Sequence, residues 1–500
     1  MVLDPNIIWQ HYEEKRLDKY SAVLRLISII QNSSDIERRI DSVYFLESIG
    51  IAGNFLFDFF ENLMISDSNE IIRALAIKTI GKYYLGKAFE PMCWAYKHES
   101  SMECILTIIK ILGKIDNHIV REYLINELIN VKMIKFQKDI TSLIEENKLV
   151  NYSNQELALM LINYYIIKFL VDKFDRLRYK IKNGHIRDLD FSCIGHNIFN
   201  WNTITKIPHY IGFLSKLQKL DLKVNKVRKI PTNIANLVSL EQMDLSNNQI
   251  QIIPDSFSQM ESLQHLNLRH NSLTSLPDSF GDLRTLRSLD LSHNKLISLP
   301  MSFKNLKNLE NLKLYGNNFD EIPNELAGLN RLSYLEIGLN AINSIEQNLL
   351  KMKSLERLGL GGNKVDVDTL HLLNELESLK QIELYDNNIK TLPNSIGELT
   401  QVRDLSIHNN QLQDLPDSFS QLRFLKHLDI SWNNLEIIPR EIFDISSIET
   451  INLSGNKIKT ISKSIKNLKS LKEIDISFNK IRTKSKLLFS LEKKGIVVKI

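Results

Sequence analysis

Aromatic, charged and imidazole side chains replace small polar residues at matching positions in the second half of this 500-residue sequence. The background at those positions is plain, as in Asp244-Leu-Ser246 and Asp290-Leu-Ser292. Tyr, Trp and Arg often dominate protein interfaces, so the replacements predict a protein-binding surface; the alternative is neutral variation of a solvent-exposed face. The candidate set is Tyr315, Tyr334, Glu336, Arg357, Glu383, Tyr385, Asp386, His408, His427 and Trp432.

Histidines are the residues best placed to bind a metal ion. His270 and His293 stand 23 residues apart at equivalent positions, with His265 nearby on the same predicted face. Side chains on adjacent strands lie about 5 Å apart, so two imidazoles meet there. A stable site needs three or four ligands, and Asp290 is the one further candidate in reach. We therefore predict solvated surface histidines, with no metal and no cofactor.

One segment has the spacing of a phosphate-binding loop, from Gly81 through Gly86 to Lys87. Such a loop follows a strand and carries Ser or Thr after the lysine. Here Ala88 follows the lysine, and the preceding residues have a helical pattern. The sequence also offers no Ser-His-Asp or Cys-His arrangement. We therefore predict that the protein is not an enzyme.

A repeat of 23 residues must position the candidate side chains. It starts as Leu217-x-x-Leu220-x-Leu222-x-x-Asn225, and in this first copy Pro231 follows six residues later. The alternating leucines predict a short strand, and the asparagine fills a turn, where it predicts hydrogen bonds between neighbouring units. The proline cannot donate a hydrogen bond and turns the chain away from the sheet. Later copies start at Leu240, Leu263, Leu286, Leu309, Leu332, Leu355, Leu379, Val402, Leu425, Ile448 and Leu471.

This pattern resembles the leucine-rich repeat family, and its Ile/Leu-Pro spacing is similar to the intracellular Ras-group class. With a looser unit that starts at Ile186, it gives about thirteen units over residues 186–483, and residues 484–500 are predicted to form a C-terminal cap. The resemblance implies an α/β solenoid, a horseshoe with a concave parallel sheet and irregular or 3₁₀ turns on the convex side. It also implies an adaptor or scaffold role in signalling, with regulation of a small GTPase or phosphatase as the more specific alternative. Phe478 shares its repeat position with Trp432 and is predicted to pack against the cap.

The region before the repeats, residues 1–185, is predicted to be all helical. Apolar residues recur there every four positions in three segments, which end at Gly50, Gly81 and Gly113. Glycine commonly follows the last residue of a helix, so each glycine is predicted to end one. The segments resemble HEAT-like helical pairs, and a generic helical bundle is the alternative.

Charge is uneven along the chain although the net charge is only +4. Residues 231–454 hold 29 acidic and 18 basic side chains, whereas residues 455–500 hold 3 acidic and 13 basic ones. The acidic part predicts a protein partner with a basic patch, and makes nucleic-acid binding by the whole chain unlikely. Contact of the basic end (Lys457 to Lys499) with nucleic acid or a membrane surface is the alternative.

The three cysteines, Cys93, Cys104 and Cys193, form no CxxC pair, and the N-terminus has no secretory pattern. The most apolar stretch, residues 157–171, contains Asn163 and Lys168 and is predicted to be a buried helix rather than a membrane span. These features predict a cytoplasmic protein without a transmembrane segment. Taken together, the sequence predicts a non-catalytic scaffold that binds a protein on the concave face of its repeats.

Overall fold

The computed structural model describes residues 4–50, 53–174, 177–192, 204–481 and 486–500. Contacts divide the chain into two compact units. The first comprises Met1–Leu189 and Tyr210–Leu217, and the second comprises Asp190–His209 and Gln218–Ile500. Cys193 and much of the loose first repeat lie outside the described residues.

The first unit is helical as far as Lys173, as predicted, but residues 178–182, which were also predicted to be helical, form a strand. Consecutive helices pack in pairs, α2 with α3, α4 with α5 and α6 with α7, which is the arrangement that HEAT-like repeats imply. Side chains cap many of the helix starts; Ser153 and Glu156, for example, form a reciprocal capping box at the start of α10. The helices are α1 (Pro5–Glu13), α2 (Lys19–Asn32), α3 (Ile36–Ile49), α4 (Asn54–Ser66), α5 (Glu70–Tyr83), α6 (Phe89–His98), α7 (Met102–Leu112), α8 (His118–Ile129), α9 (Ile134–Glu145) and α10 (Asn154–Lys173).

The glycines of the helical repeat play different roles. Gly50 has a φ of 63° and ends α3 as predicted. The prediction that Gly81 ends a helix is wrong, because Gly81 lies inside α5. A Cβ atom there would approach the Ile111 side chain to 2.5 Å, so glycine allows α5 and α7 to pack closely. The segment with phosphate-loop spacing is therefore the end of α5 and a short 3₁₀ helix, Leu85–Lys87.

The apolar stretch at residues 157–171 lies within α10 and is largely buried, as predicted. Its one buried amide is hydrogen-bonded through both polar atoms: Asn163 donates to the Leu159 carbonyl at 2.7 Å and accepts from the Ile186 amide at 2.8 Å. After α10 follow β1 (Arg178–Lys182) and β2 (His185–Asp190), joined by two residues with φ of 54° and 70°. Two consecutive positive φ values are typical of a hairpin turn. Among the helices that the structure describes, none is both long and apolar enough to cross a bilayer.

The second unit is a solenoid with one three-residue strand per repeat. Its strands pair in parallel and in sequence order, and the central residue of each repeat strand is buried. This confirms the predicted parallel sheet, which ends in a final strand, β15. The strands are β3 (Lys219–Asp221), β4 (Gln242–Asp244), β5 (His265–Asn267), β6 (Ser288–Asp290), β7 (Asn311–Lys313), β8 (Tyr334–Glu336), β9 (Arg357–Gly359), β10 (Gln381–Glu383), β11 (Asp404–Ser406), β12 (His427–Asp429), β13 (Thr450–Asn452), β14 (Glu473–Asp475) and β15 (Val497–Lys499).

Short 3₁₀ helices form the other side of the solenoid, as predicted. Pro254, with a φ of −71°, directly precedes one of them, and the Phe257 side chain on that helix is fully buried. Proline sets this backbone geometry in advance. Glu346 and Ser462 replace the proline in two units, yet adopt φ of −90° and −67° and still precede a 3₁₀ helix. The turn therefore tolerates other residues.

The repeated asparagine joins neighbouring units. Asn248 donates to the carbonyls of Leu222 and Leu245 at 2.9 and 3.0 Å and accepts from the Val227 amide at 2.9 Å. The predicted bonds between units are thus present, and they run from each side-chain amide to backbone groups rather than between side chains. Equivalent asparagines are Asn225, Asn271, Asn294, Asn317, Asn340, Asn363, Asn387, Asn410, Asn433, Asn456 and Asn479.

Candidate protein-binding face

The third residue of a repeat strand points away from the central core residue, and in seven of the strands it has a structural task. In β4, Asp244 Oδ1 accepts from the Ser246 backbone amide at 2.9 Å and from its hydroxyl at 2.6 Å. We call such a bond, from an Asp or Asn side chain to the backbone amide two residues later, the Asx cap. It explains the Asp-x-Ser background of the repeats as a turn-stabilising device. The same cap is formed by Asp221, Asn267, Asp290, Asp429, Asn452 and Asp475.

Five consecutive strands, β7 to β11, lack this cap, and we call them the uncapped stretch. Lysine and glycine, at positions 313 and 359, have no side-chain acceptor to offer. Only Glu336 reaches the equivalent amide, that of Gly338, at 3.2 Å with its longer side chain. The five residues at the cap position are Lys313, Glu336, Gly359, Glu383 and Ser406.

The two remaining acceptors in the uncapped stretch are used locally. Glu383 accepts from the Gln381 side chain at 2.9 Å, and the Ser406 hydroxyl pairs with the His408 imidazole at 2.8 Å. In the capped units the cap binds the backbone N–H group two residues after the cap residue. Four of the five equivalent N–H groups in the uncapped stretch consequently have no acceptor among the described residues. A partner could therefore accept hydrogen bonds from the backbone amides of Tyr315, Gly361, Tyr385 and His408.

Two tyrosine rings lie close to the backbone of glycines in the repeats between them. A Cβ atom on Gly361 would collide with the ring of Tyr385, and one on Gly338 would lie 3.0 Å from the ring of Tyr315. Tyr385 also stacks on His408, with ring centroids 4.7 Å apart. Burial and the neighbouring Tyr315 raise the pKa of Tyr385. The result is an aromatic surface that rests on bare backbone.

Glu336 is the buried charge of this face, with only 8% of its surface exposed. Its side chain lies over Gly359 in the space that a side chain would otherwise fill. Its hydrogen bonds are long, 3.2 Å from the Gly338 amide and 3.4 Å from the Tyr334 hydroxyl. Burial above all, and then the nearby Glu383, raise the pKa of Glu336 to about 7. The carboxyl group therefore changes charge near neutral pH.

Two cations flank Tyr334. The Lys313 ammonium lies 5.8 Å and the Arg357 guanidinium 5.3 Å from the centre of its ring, both within cation–π range. Burial, followed by the charge of Glu336, raises the pKa of Tyr334 to about 12. Arg357 is exposed and keeps its donors available to a partner.

The structure brings together seven of the ten sequence-predicted residues in the uncapped stretch: Tyr315, Tyr334, Glu336, Arg357, Glu383, Tyr385 and His408. His427 lies further along, in β12, where its Nδ1 pairs with the Thr450 hydroxyl at 2.8 Å. Asp386 and Trp432 occupy the turn after a strand, with φ of 54° and 53°. The candidate set therefore spans more than one location.

Sequence reasoning missed the geometry of that turn. At this turn position each repeat has a residue with a positive φ, a conformation that costs residues other than glycine roughly 1–2 kcal/mol. Bulky residues at these positions are the sequence signal from which the turn could have been identified. The residues are Val224, Asn247, His270, His293, Gly316, Leu339, Gly362, Asp386, Asn409, Trp432, Gly455 and Phe478.

The prediction that Phe478 packs against the C-terminal cap is wrong. Its side chain is 77% exposed and stacks instead on Trp432, with ring centroids 6.1 Å apart. Trp432 is itself 56% exposed. Gly455 lies at the turn position between them, where a Cβ atom would approach the Trp432 ring to 2.5 Å. Glycine therefore permits this exposed aromatic pair to form.

His270 and His293 stack face to face, with ring centroids 4.1 Å apart and planes 6° apart. Nitrogens of parallel stacked rings lie side by side and do not converge on one point. Burial and the charge of His270 lower the pKa of His293. Among the described residues, no group of three His, Cys, Asp or Glu side chains could hold a metal ion.

Comparisons with known proteins agree with this geometry. A family model described as a leucine-rich repeat region matches residues 361–494, and leucine-rich repeat models match residues 239–260, 251–296 and 308–329. Among curated proteins, none matches the chain.

Several solved structures are similar. A leucine-rich repeat protein of Leptospira interrogans is 30% identical, with 60% of this chain and 82% of that one aligned and a TM-score of 0.52. An internalin of Listeria monocytogenes is 20% identical, over 75% and 96% of the two chains, with a TM-score of 0.53. The receptor of a TLR13–ssRNA complex is 28% identical, over 59% and 46%, with a TM-score of 0.50. The repeats, the capped sheet and these similarities together show that the chain belongs to the leucine-rich repeat family.

Proposed function

We propose that the chain is a non-catalytic scaffold that binds a protein partner on the uncapped stretch of its sheet. The observation that carries the proposal is the loss of the Asx cap in five consecutive units, while the units on both sides keep it. Residues that break a local structural rule without a structural gain tend to mark functional sites. Leucine-rich repeat proteins are in general interaction modules, which supports this assignment.

The chemistry of the uncapped stretch suits an extended or loop segment of a protein. Half-buried tyrosines supply rigid contact area at a low cost in conformational entropy. The unpaired amides of Gly361, Tyr385 and His408 each lie two residues after one of three adjacent strands, which are about 4.8 Å apart, and can donate to oxygens of a partner. Arg357 can form charge-assisted hydrogen bonds beside them.

Other roles have less support. A TLR13 structure contains single-stranded RNA, but the sheet face here lies within an acidic part of the chain, which would repel phosphates. Three lysines between residues 457 and 499 form ion pairs with glutamates, which reduces the charge that the basic end offers to nucleic acid or membranes. We propose a cytoplasmic setting because Cys93 and Cys104 are free thiols. Regulation of a small GTPase or phosphatase is a more specific form of this proposed function, and identification of the partner would test it.

The test is crosslinking and affinity capture from a lysate of the source cells, with quantitative mass spectrometry. A variant with Tyr315→Ala and Tyr385→Ala should recover the specific partner at least about tenfold less, because tyrosines are frequent hot spots. The matched control is Gln242→Ala with His265→Ala, which truncates two side chains on the same face in capped units. Equal recovery by the tyrosine variant and the wild type, with the fold intact, would overturn the proposal.

A further inference from the structure

A second surface lies beside the uncapped stretch, and its aromatic part has no structural explanation. Trp432 and Phe478 are exposed, stacked on each other and held by residues with φ of 53° and 54°. Most surface aromatic residues bury one face against the protein. Here both rings present area to solvent from a backbone conformation that disfavours them.

The sheet surface next to this aromatic pair indicates what kind of ligand could bind to it. A hollow of about 390 Å³ lies over β10 to β15. Trp432 follows the hollow-lining residue Asp429 by three positions, and Phe478 follows Asp475 by three. The carboxylates in its lining are those of Glu383, Asp404, Asp429, Glu473 and Asp475.

The hollow carries a strong negative charge. Five carboxylates line it against one lysine, Lys499, whose ammonium already contacts Glu473 at 2.5 Å. His427 also lines it, and its Nε2 lies 3.9 Å from Asp404. Asp429 and Asp475 each use one oxygen in an Asx cap. The second oxygen of Asp429 accepts from the Asn452 side chain at 3.1 Å, whereas that of Asp475 has no hydrogen-bond donor among the described residues. The hollow is continuous with the uncapped stretch, since Glu383 belongs to both.

We infer that an arginine-rich, extended segment of the protein partner lies in this hollow and stacks a guanidinium group on the Trp432–Phe478 pair. This inference rests on the proposed function and adds the chemistry of the partner. Arginine satisfies both halves of the surface, because its guanidinium pairs with carboxylates and stacks on aromatic rings. Lysine satisfies the carboxylates but stacks less well, and an acidic segment satisfies neither.

Three dye-labelled peptides test the inference on the full chain by fluorescence anisotropy. They consist of four Arg-Gly-Ser, four Lys-Gly-Ser or four Glu-Gly-Ser repeats. We expect the arginine peptide to bind tightest, the lysine peptide more weakly and the glutamate peptide least. Equal binding of the acidic and arginine peptides would overturn the inference.

Matched charge variants localise the binding. Asp429→Asn with Asp475→Asn should weaken the arginine peptide about fivefold, the size expected for two exposed ion pairs. The control is Asp244→Asn with Asp290→Asn, which makes the same change in net charge at the same repeat position and should change affinity by less than about twofold. Both variants keep the cap, since Asn267 forms it with its amide oxygen. Equal effects of the two variants would mean that only bulk charge attracts the peptide, and would overturn the inference.

The aromatic contribution needs its own variant, Trp432→Ala with Phe478→Ala, whose exposed side chains contribute little to folding. It should weaken the arginine peptide about threefold and abolish the preference over the lysine peptide, because a cation–π contact at an exposed site is lost. An unchanged arginine preference would contradict the stacking.

Partner capture separates the two proposals. If the Tyr315→Ala, Tyr385→Ala variant loses the partner while Asp429→Asn with Asp475→Asn retains it, the arginine inference is wrong and the proposed function stands. If only the Asp429, Asp475 variant loses the partner, the cationic segment stands and the uncapped stretch is not the binding surface. Loss by both variants supports both proposals.

Discussion

The capped and uncapped parts of one sheet face share their backbone, their core and their asparagine ladder, and differ in one local hydrogen bond. In the capped units a short Asp or Asn side chain holds the amide two residues later. In the uncapped stretch the same position holds Lys, Glu, Gly, Glu and Ser. Because the strands themselves do not need the cap, its loss leaves the fold intact and frees donors at the surface. The difference teaches that a repeat protein can specialise a surface without altering its scaffold.

The first prediction concerns what the two parts share and has the largest expected effect. Asn294→Ala in a capped unit and Asn363→Ala in the uncapped stretch each remove amide bonds to two units. Each should lower the free energy of unfolding by roughly 2–3 kcal/mol, because a buried backbone amide loses its acceptor. Urea unfolding measures it. A much smaller loss for Asn363→Ala would show that the uncapped stretch is loosely built throughout.

The second prediction concerns the buried Glu336. Its pKa is raised to about 7, so the folded chain binds more protons than the unfolded chain between about pH 4.5 and 7, and stability falls as pH rises through that window. Glu336→Gln removes this dependence. From pH 5 to pH 8 the free energy of unfolding, measured with urea, should fall by roughly 1–3 kcal/mol more for the wild type than for the variant. Parallel pH profiles for the two proteins would contradict the assignment.

The third prediction removes the Asx cap from a capped unit and adds one to the uncapped stretch, and it has the smallest effect on stability. Asp244→Ala deletes a cap and should cost about 0.5–1.5 kcal/mol, whereas Ser406→Asp offers a new cap to the His408 amide and should gain up to the same amount. Thermal unfolding measures both. On the proposed function, Ser406→Asp should also weaken partner capture while Asp244→Ala does not. The opposite pattern would separate the cap from binding.

The spacing of residues predicted most of the scaffold, because each repeat contains its own strand, asparagine and turn. The failures involve contacts between distant segments. Gly81 was expected to end a helix, but it serves a close approach to Ile111, thirty residues away in sequence. The burial of Glu336 depends on Gly359 in the next repeat, and the ring of Phe478 packs against Trp432, two repeats earlier, rather than against the cap.

The candidate residues themselves were recognisable as departures from a plain background. The feature that they share, the loss of the Asx cap, was not recognisable from the sequence. It requires the knowledge that Asp244 and its equivalents accept hydrogen bonds from the following turn. The unpaired amides of Gly361 and Tyr385 cannot be read from side-chain types at all, since they belong to the backbone.

Amide hydrogen exchange, resolved by residue, tests the central claim most directly. In the free chain the capped amides of Ser246 and Ser431 should exchange slowly, and those of Tyr385 and His408 quickly. When the captured partner is added, protection should rise at Tyr385 and His408 and stay unchanged at Ser246. Equal exchange at capped and uncapped positions in the free chain, or protection by the partner at Ser246 instead, would contradict the account.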